Sequence, residues 1–169
     1  PALSGSHSKP PALPEVLTVS GDRSGVGTLR EVNDADARFA VHTALLDDYV
    51  DRVPPDGRVL LKTDVEGYDF HVLKGASKVL ARREVAVISE VNPQWLKEVG
   101  CSAEEMFAYM ADLGYSAYHP TVVRRGLSRV LTIAPLSLPG PHTWFNALFC
   151  RESELSMLQT GQYPVEIIA

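Results

Sequence analysis

Two short apolar runs, each ending in charged or polar residues, constrain the fold more than any other feature of the sequence. The first covers residues 58–65 (RVLLKTDV) and the second residues 85–91 (VAVISEV). Between them, residues 69–83 place apolar side chains on roughly one helical face, with lysine and arginine elsewhere. Buried parallel strands have this apolar composition, and a helix is the usual connection between two of them. The order predicts a β-α-β unit in a parallel sheet, with a right-handed crossover.

The segment before this unit predicts further short strands. Two β-like runs, residues 15–20 and 26–32, are separated by the turn residues GDRSG at 21–25. This pattern is typical of a β-hairpin. A third run at residues 39–43 leads into a short amphipathic helix at 45–50, which the Pro-Pro-Asp-Gly stretch after it should end.

The segment after the unit predicts one more helix and three strands. Ser102 and Glu105 form a capping box that opens the helix, and Gly114 ends it. The strands are expected at residues 115–119, 130–134 and 144–150, followed by a short helix at 152–159. Because the loop between the last two strands is too short for a helix, we expect an antiparallel hairpin at the edge of a mostly parallel sheet.

Length and composition predict one α/β domain at residues 15–151. Residues 1–14, rich in Pro, Ser and Gly, are expected to be a disordered linker, and residues 152–169 a C-terminal tail. The net charge of −5 argues against a nucleic-acid partner, which needs a basic face. With neither an apolar run of membrane-spanning length nor a signal-peptide pattern, we expect a cytoplasmic protein. Since the chain begins with Pro1 rather than Met, we also expect targeting signals to lie upstream, if any exist.

Polar side chains follow both strands of the β-α-β unit. Asp64, Glu66 and Gly67 come at the end of the first strand, and Glu90 and Asn92 at the end of the second. Ligands of open α/β sheets bind beyond the carboxyl ends of the strands, so these groups should converge on one crevice. Clustered carboxylates raise one another's pKa, which suits a general base. Gly67 would let the backbone turn tightly and approach a ligand.

Each of these residues also has a purely structural interpretation. Asp64 and Glu66 could cap the helix that starts near residue 69. Glu90 could pair with Lys62 or Lys97, and Asn92, which precedes a proline, could simply initiate a turn.

The histidines and cysteines do not predict a metal or disulfide site. His71 follows the polar motif on the predicted helix and could be a surface residue, while the other histidines are scattered without metal-ligand spacing. Cys101 and Cys150 are expected to be reduced, partly buried thiols, with a disulfide or a redox role as the alternative.

The motif itself resembles a known family signature. Residues 60–76 (LLKTDVEGYDFHVLKGA) are similar to the FkbM-type methyltransferase pattern, roughly L-x-K-x-D-V-E-G-x-E-x-x-V-L-x-G-A. Asp69 stands where the family usually has Glu. Residues 88–92, 43–50 and 145–149 resemble the family's next strand, its Thr-Leu-Asp-Asp stretch and its closing strand, so the resemblance covers roughly residues 16–151.

This resemblance implies a Rossmann-like class I methyltransferase fold, S-adenosylmethionine as cofactor, and methyl transfer to an oxygen of a small molecule or sugar. We therefore expect Asp64, Glu66 and Glu90 to be catalytic. Asp64 and Gly67 should contact the cofactor, and Asn92 and His71 the acceptor.

The resemblance also implies a cofactor loop, Asp-x-Gly-Ala-x-x-Gly after a strand, which this sequence lacks. The glycine-rich residues 21–27 lie between hairpin strands and do not meet that context. We therefore expect the first strands of the domain to be missing. A degenerate, non-catalytic binding module stays open as the alternative. A chitinase-like barrel is disfavoured, because Lys62 stands where its Asp-x-Asp-x-Glu motif needs an acid and the chain is short for a barrel.

Overall fold

The computed structural model describes residues 2–3, 15–19, 27–29, 37–53, 56–82, 84–138, 143–158 and 165–168. The turn at residues 21–25 and most of the expected linker, residues 4–14, lie outside this range.

Eleven strands, five α-helices and one 3-10 helix are formed by these residues. The strands are β1 (Ala2–Leu3), β2 (Glu15–Val19), β3 (Gly27–Thr28), β4 (Ala37–Val41), β5 (Thr43–Ala44), β6 (Val59–Thr63), β7 (Val85–Val91), β8 (Ser116–Arg125), β9 (Ser128–Pro135), β10 (Phe145–Cys150) and β11 (Val165–Ile167). The helices are α1 (Asp69–Lys74), α2 (Ser77–Leu80), α3 (Pro93–Glu98), α4 (Ala103–Asp112) and α5 (Glu152–Leu158), with the 3-10 helix at Leu46–Arg52.

The predicted β-α-β unit is present, and it forms one end of a six-stranded sheet. The strand order is β11-β9-β8-β10-β7-β6, and β6 pairs with β7 in parallel. The expectation of a mostly parallel sheet is wrong, because β10 runs antiparallel to both β7 and β8, and β8 runs antiparallel to β9. The sheet is therefore mixed.

The expected hairpin between the last two strands is also wrong. Instead β8 and β9 form the hairpin, joined by the two residues Gly126 and Leu127, with Gly126 at a φ of +61°. The loop after β9 then carries the chain back so that β10 lies between β7 and β8. The physical reason is burial. Four consecutive residues of β10, Ala147 to Cys150, are buried, and this suits a central strand better than an edge strand.

The helix predicted over residues 69–83 is interrupted. It ends at Gly75 and restarts as α2, which a distant side chain caps: the carboxylate of Asp47 accepts hydrogen bonds from the N–H of Lys78 and the hydroxyl of Ser77. Helix α3 and strand β11 were not predicted. Strand β11 pairs in parallel with β9, so the C-terminal segment contributes a strand to the main sheet.

The two faces of the sheet are covered differently. One face of β7 and β10 packs against the helices and forms the larger core, which includes Leu73, Leu80, Val87, Met106 and Phe149. The opposite face is covered near β9 by a smaller cluster around Ile133, Leu148 and Leu155. On that second face the side chain of Leu60, on β6, is 65% exposed.

The N-terminal strands form separate, smaller sheets. The order β3-β2-β4 is antiparallel throughout, which confirms the predicted pairing of the first two runs, and β1 pairs in parallel with β5. No helix among the described residues combines the length and the apolar character that crossing a bilayer requires.

Candidate active site

The carboxyl ends of β6 and β7 lie side by side. Thr63 and Ser89 are register partners, so Asp64 and Glu90 follow at the same edge of the sheet. Burial raises the pKa of Glu90, and the charges of Asp64, Glu66 and Asp69 raise it further. The four carboxyl groups of these residues are therefore within electrostatic reach of one another, and we call them the carboxylate edge.

Asp64 is the most solvated member of the carboxylate edge. Its Oδ2 forms an ion pair with Lys62 Nζ, and both side chains are at least half exposed. Such a pair contributes little stability, because solvent screens it. The ion pair of Lys62 is thus made with Asp64 rather than Glu90, although its charge lowers the pKa of Glu90.

Glu66 lies in the turn that links β6 to α1. Its φ of +54° is in the left-handed region, which a non-glycine residue adopts at a cost of about 1–3 kcal/mol. The hydroxyl of Thr28, on β3, donates a 3.3 Å hydrogen bond to the carbonyl oxygen of Glu66. The small N-terminal sheet therefore contacts the turn that positions this carboxylate.

Gly67 completes the turn with a φ of +100°. A Cβ at this position would stand 2.8 Å from Trp95 Cβ and 3.1 Å from the carbonyl carbon and oxygen of Trp95. The close backbone approach that the sequence predicted at Gly67 is therefore made to helix α3. The turn after β6 is therefore in close contact with the helix that follows β7.

Asp69 is the buried member of the carboxylate edge, with 2% of its surface exposed. Its Oδ2 accepts a hydrogen bond from the N–H of Gly67, whereas Oδ1 has no hydrogen-bond partner among the described residues. Burial raises its pKa, while the nearby hydroxyl of Thr63 favours the charged form without completing a bond to Oδ1. That hydroxyl is within 2.6 Å of Ser89 Oγ, so a buried pair of hydroxyls bridges the two strand ends.

Asn92 acts locally as a helix cap. Its Oδ1 accepts a 3.2 Å hydrogen bond from the N–H of Trp95 and so caps α3, with Pro93 at the first helical position. This is the turn-initiating role that the sequence left open. A contact between its amide and an acceptor stays a prediction.

His71 lies on α1 and contacts a different set of residues. Its ring is 5.3 Å from that of Tyr68 between centroids, and its Nδ1 is 3.7 Å from Cys101 Sγ. Burial lowers its pKa, and Lys74 lowers it further. The contacts of His71 are therefore with Tyr68 and Cys101 rather than with the carboxylate edge.

Three features of the site escaped the sequence interpretation: the burial of Asp69, the Thr63–Ser89 hydroxyl pair and the contact with Trp95. The hydroxyl pair could have been found from the sequence, because each of the two buried strands has a hydroxyl residue near its carboxyl end. The contact with Trp95 could not, since it joins two turns that are distant in sequence.

The arrangement suits proton transfer or the binding of an organic cation. Among the residues that the structure covers, no three His, Cys, Asp or Glu side chains are arranged to hold a metal ion. A carboxyl with a raised pKa, as at Glu90, is a better general base than an ordinary one.

Comparison with known proteins adds one finding. Residues 16–117, more than half of the chain, match the family model of the methyltransferase FkbM domain. The carboxylate edge lies within that stretch. No curated protein and no solved structure matches the chain.

Proposed function

Because the chain belongs to the FkbM methyltransferase domain family, we propose that the full-length protein transfers a methyl group from S-adenosylmethionine to a hydroxyl oxygen of a small molecule or sugar. Family membership supports methyl transfer in general. The proposal of an oxygen acceptor rests on the carboxylate edge, because a carboxylate there can accept the proton of a hydroxyl group. The observation that carries the proposal is the raised pKa of Glu90 among three further carboxylates at the ends of two parallel strands.

The fold that we propose is Rossmann-like and of methyltransferase class I. Its support is the parallel β6-α1-α2-β7 unit, followed by a strand, β10, that lies antiparallel to β7. In folds of this kind ligands bind beyond the carboxyl ends of the parallel strands, which is where the carboxylate edge lies.

The residues present suit the charged end of the proposed cofactor. S-adenosylmethionine supplies a methyl group on a positively charged sulfur, and a cation is stabilised next to carboxylates. The buried Oδ1 of Asp69, which has no hydrogen-bond partner among the described residues, adds negative potential to this edge. Asp64 and Gly67 would hold the cofactor from the turn after β6.

The role of the remaining groups is to hold the acceptor and move its proton. Glu90 or Glu66 would accept the proton of the acceptor hydroxyl as the oxygen attacks, and the raised pKa of Glu90 suits this step. Asn92 would orient the acceptor from the start of α3. The side chains mainly align the reacting atoms, since alignment alone supplies much of the rate of such a displacement.

Calorimetric titration with S-adenosylhomocysteine, followed by transfer of a labelled methyl group to a panel of hydroxylated small molecules and sugars, tests the proposal. Glu66→Gln and Glu90→Gln should lower the turnover about a hundredfold or more if a carboxylate moves the proton. Glu104→Gln, an exposed glutamate on α4, is the matched control and should leave turnover unchanged.

Two outcomes would overturn parts of this assignment. Unchanged turnover in both variants would remove the carboxylates from the mechanism while keeping methyl transfer. An absence of both binding and transfer, in this chain and in a version extended upstream, would instead favour the alternative, a non-catalytic binding module of the same family.

A further inference from the structure

The outer part of the β8–β9 hairpin, residues 122–131, extends beyond the paired segments of the two neighbouring strands, β10 and β11. Strand β10 pairs with β8 only at Ser116 to Tyr118, and β11 pairs with β9 only from Leu131 onward. The last rungs, Val123 to Arg125 paired with Ser128 to Val130, therefore have no further strand beside them among the described residues. We call residues 122–131 the hairpin arm, and its free rungs extend for about 10 Å.

The arm projects at the end of the sheet where the carboxylate edge lies. Since β10 is antiparallel to both β7 and β8, strands β7 and β8 point in the same direction. The tip of the arm, Gly126 and Leu127, is therefore at the end where β6 and β7 terminate.

The arm concentrates positive charge on a chain whose net charge is −5. Arg124 and Arg129 are register partners and both are exposed. Like charges directly opposite each other destabilise a strand pair. Among the described residues neither guanidinium has an ion-pair partner, whereas that of Arg125 is paired with Glu166 at 3.2 Å. The repulsion between Arg124 and Arg129 is thus left for an external anion to relieve.

The arm also exposes apolar side chains. Leu127 is fully exposed, and Val122, on the same face as Arg124, is 64% exposed. A single exposed leucine is ordinary on a protein surface. A leucine at the outermost point of a hairpin, with arginines directly behind it, matches the layering of a bilayer surface, where anionic headgroups lie above the acyl chains.

We propose that the hairpin arm docks on the surface of an anionic phospholipid bilayer. Leu127 enters the boundary between headgroups and acyl chains, and Arg124 and Arg129 bind lipid phosphates. A soluble phosphate would use the arginines but would leave Leu127 in water. Each arginine near an anionic leaflet contributes about a fivefold gain in partitioning, so the docking is weak and reversible.

Docking also has a consequence for the carboxylate edge, which rests on the proposed function. An arm that holds this edge of the sheet toward a bilayer would favour acceptors embedded in, or attached to, the lipid surface. The docking itself does not depend on any methyl transfer, so the two fail separately.

Co-sedimentation with vesicles tests the proposal on the chain itself. The expected result is binding to vesicles of phosphatidylcholine mixed with phosphatidylglycerol, none to phosphatidylcholine alone, and a decline as salt is added. The double variant Arg124→Gln/Arg129→Gln should lower the partition coefficient about 25-fold. Leu127→Ser should lower it several-fold with an unchanged salt dependence.

The controls are matched in chemistry and differ in place. Arg58→Gln removes an exposed arginine just before the start of β6, at the opposite edge of the sheet, and Leu60→Ser removes an exposed leucine outside the arm. Both should bind vesicles like the parent chain, and circular dichroism should show all variants folded.

Three results would overturn the proposal. One is failure to bind the phosphatidylglycerol vesicles. Another is a loss of binding in Arg58→Gln that equals the loss in the single variant Arg124→Gln, which would mean a general charge effect. The third is binding to immobilised heparin that matches vesicle binding and is indifferent to Leu127→Ser, which would make the arm a site for soluble polyanions.

Discussion

The buried carboxylate of Asp47 accepts a 2.7 Å hydrogen bond from the hydroxyl of Ser77, 30 residues further along the chain. The same carboxylate accepts hydrogen bonds from the N–H groups of Lys78 and Val79, and the N–H of Asp47 donates to the carbonyl of Gly75. Ala76 precedes α2 in the chain and has no side chain that can cap it. The carboxylate of Asp47 takes over that capping role. The 3-10 helix is tied in this way to the break between α1 and α2.

Replacement of Asp47 by alanine should be strongly destabilising. The change leaves the N–H groups at the start of α2 without their acceptor, and a charge-assisted cap of this kind contributes about 2–3 kcal/mol. Urea unfolding of Asp47→Ala and of the control Asp51→Ala, an exposed aspartate of the same 3-10 helix, measures the difference. Equal unfolding midpoints in the two variants would show that Asp47 does not cap α2.

Gly67 and Gly100 separate two costs of adding a methyl group. Both have a positive φ, +100° and +77°, but only a Cβ at Gly67 would meet other atoms, those of Trp95. Gly100→Ala should lower the free energy of unfolding by about 1 kcal/mol, through backbone strain alone. Gly67→Ala should lower it by about 1–3 kcal/mol more, because α3 must also move. Chemical unfolding of the pair measures both, and similar losses would mean that the contact with Trp95 is loose.

The elements that sequence reasoning located best are those whose pattern is local. The bounds of β7 were predicted residue for residue, since Val85, Val87 and Val91 face the core and the run ends in polar residues. The capping box at Ser102 and Glu105 is likewise formed as predicted. The position of β10 between β7 and β8 depends on which strands can be buried on both faces, and no local pattern specifies that.

The candidate site shows the same division. The proximity of Glu90 to Asp64 follows from the rule that parallel strands end at one edge, so the sequence could predict it. His71 lies three residues beyond Tyr68 on a helix, where each residue turns the side chain by about 100°. Its direction therefore depends on how α1 packs, and the structure places its ring against Cys101 instead.

Cys150 should be unreactive in the folded chain. Burial, with a further contribution from Glu154, raises the pKa of its thiol from 9.0 to about 11, so at neutral pH its thiolate fraction is about a hundredfold below the ordinary value. We expect a Cys101→Ser variant to react with a thiol reagent only after urea is added. Rapid reaction of the folded variant would contradict the buried position of β10.

The pKa of Glu90 predicts how stability depends on pH. A carboxyl whose pKa is raised by folding favours the folded state below its unfolded pKa, near 4.5, and that contribution is lost as the pH rises through the folded value. Glu90→Gln should therefore match the parent chain well below pH 4.5 and be more stable at neutral pH.

The gain should be no more than about 1 kcal/mol, because solvent screens this partly buried group. Urea unfolding at both pH values measures it, with Glu104→Gln, a change at an exposed glutamate, as the control. The difference reports Glu90 together with its repulsion of Asp64, Glu66 and Asp69. A Glu90→Gln variant that is less stable than the parent at neutral pH would mean that the carboxylates do not repel one another there.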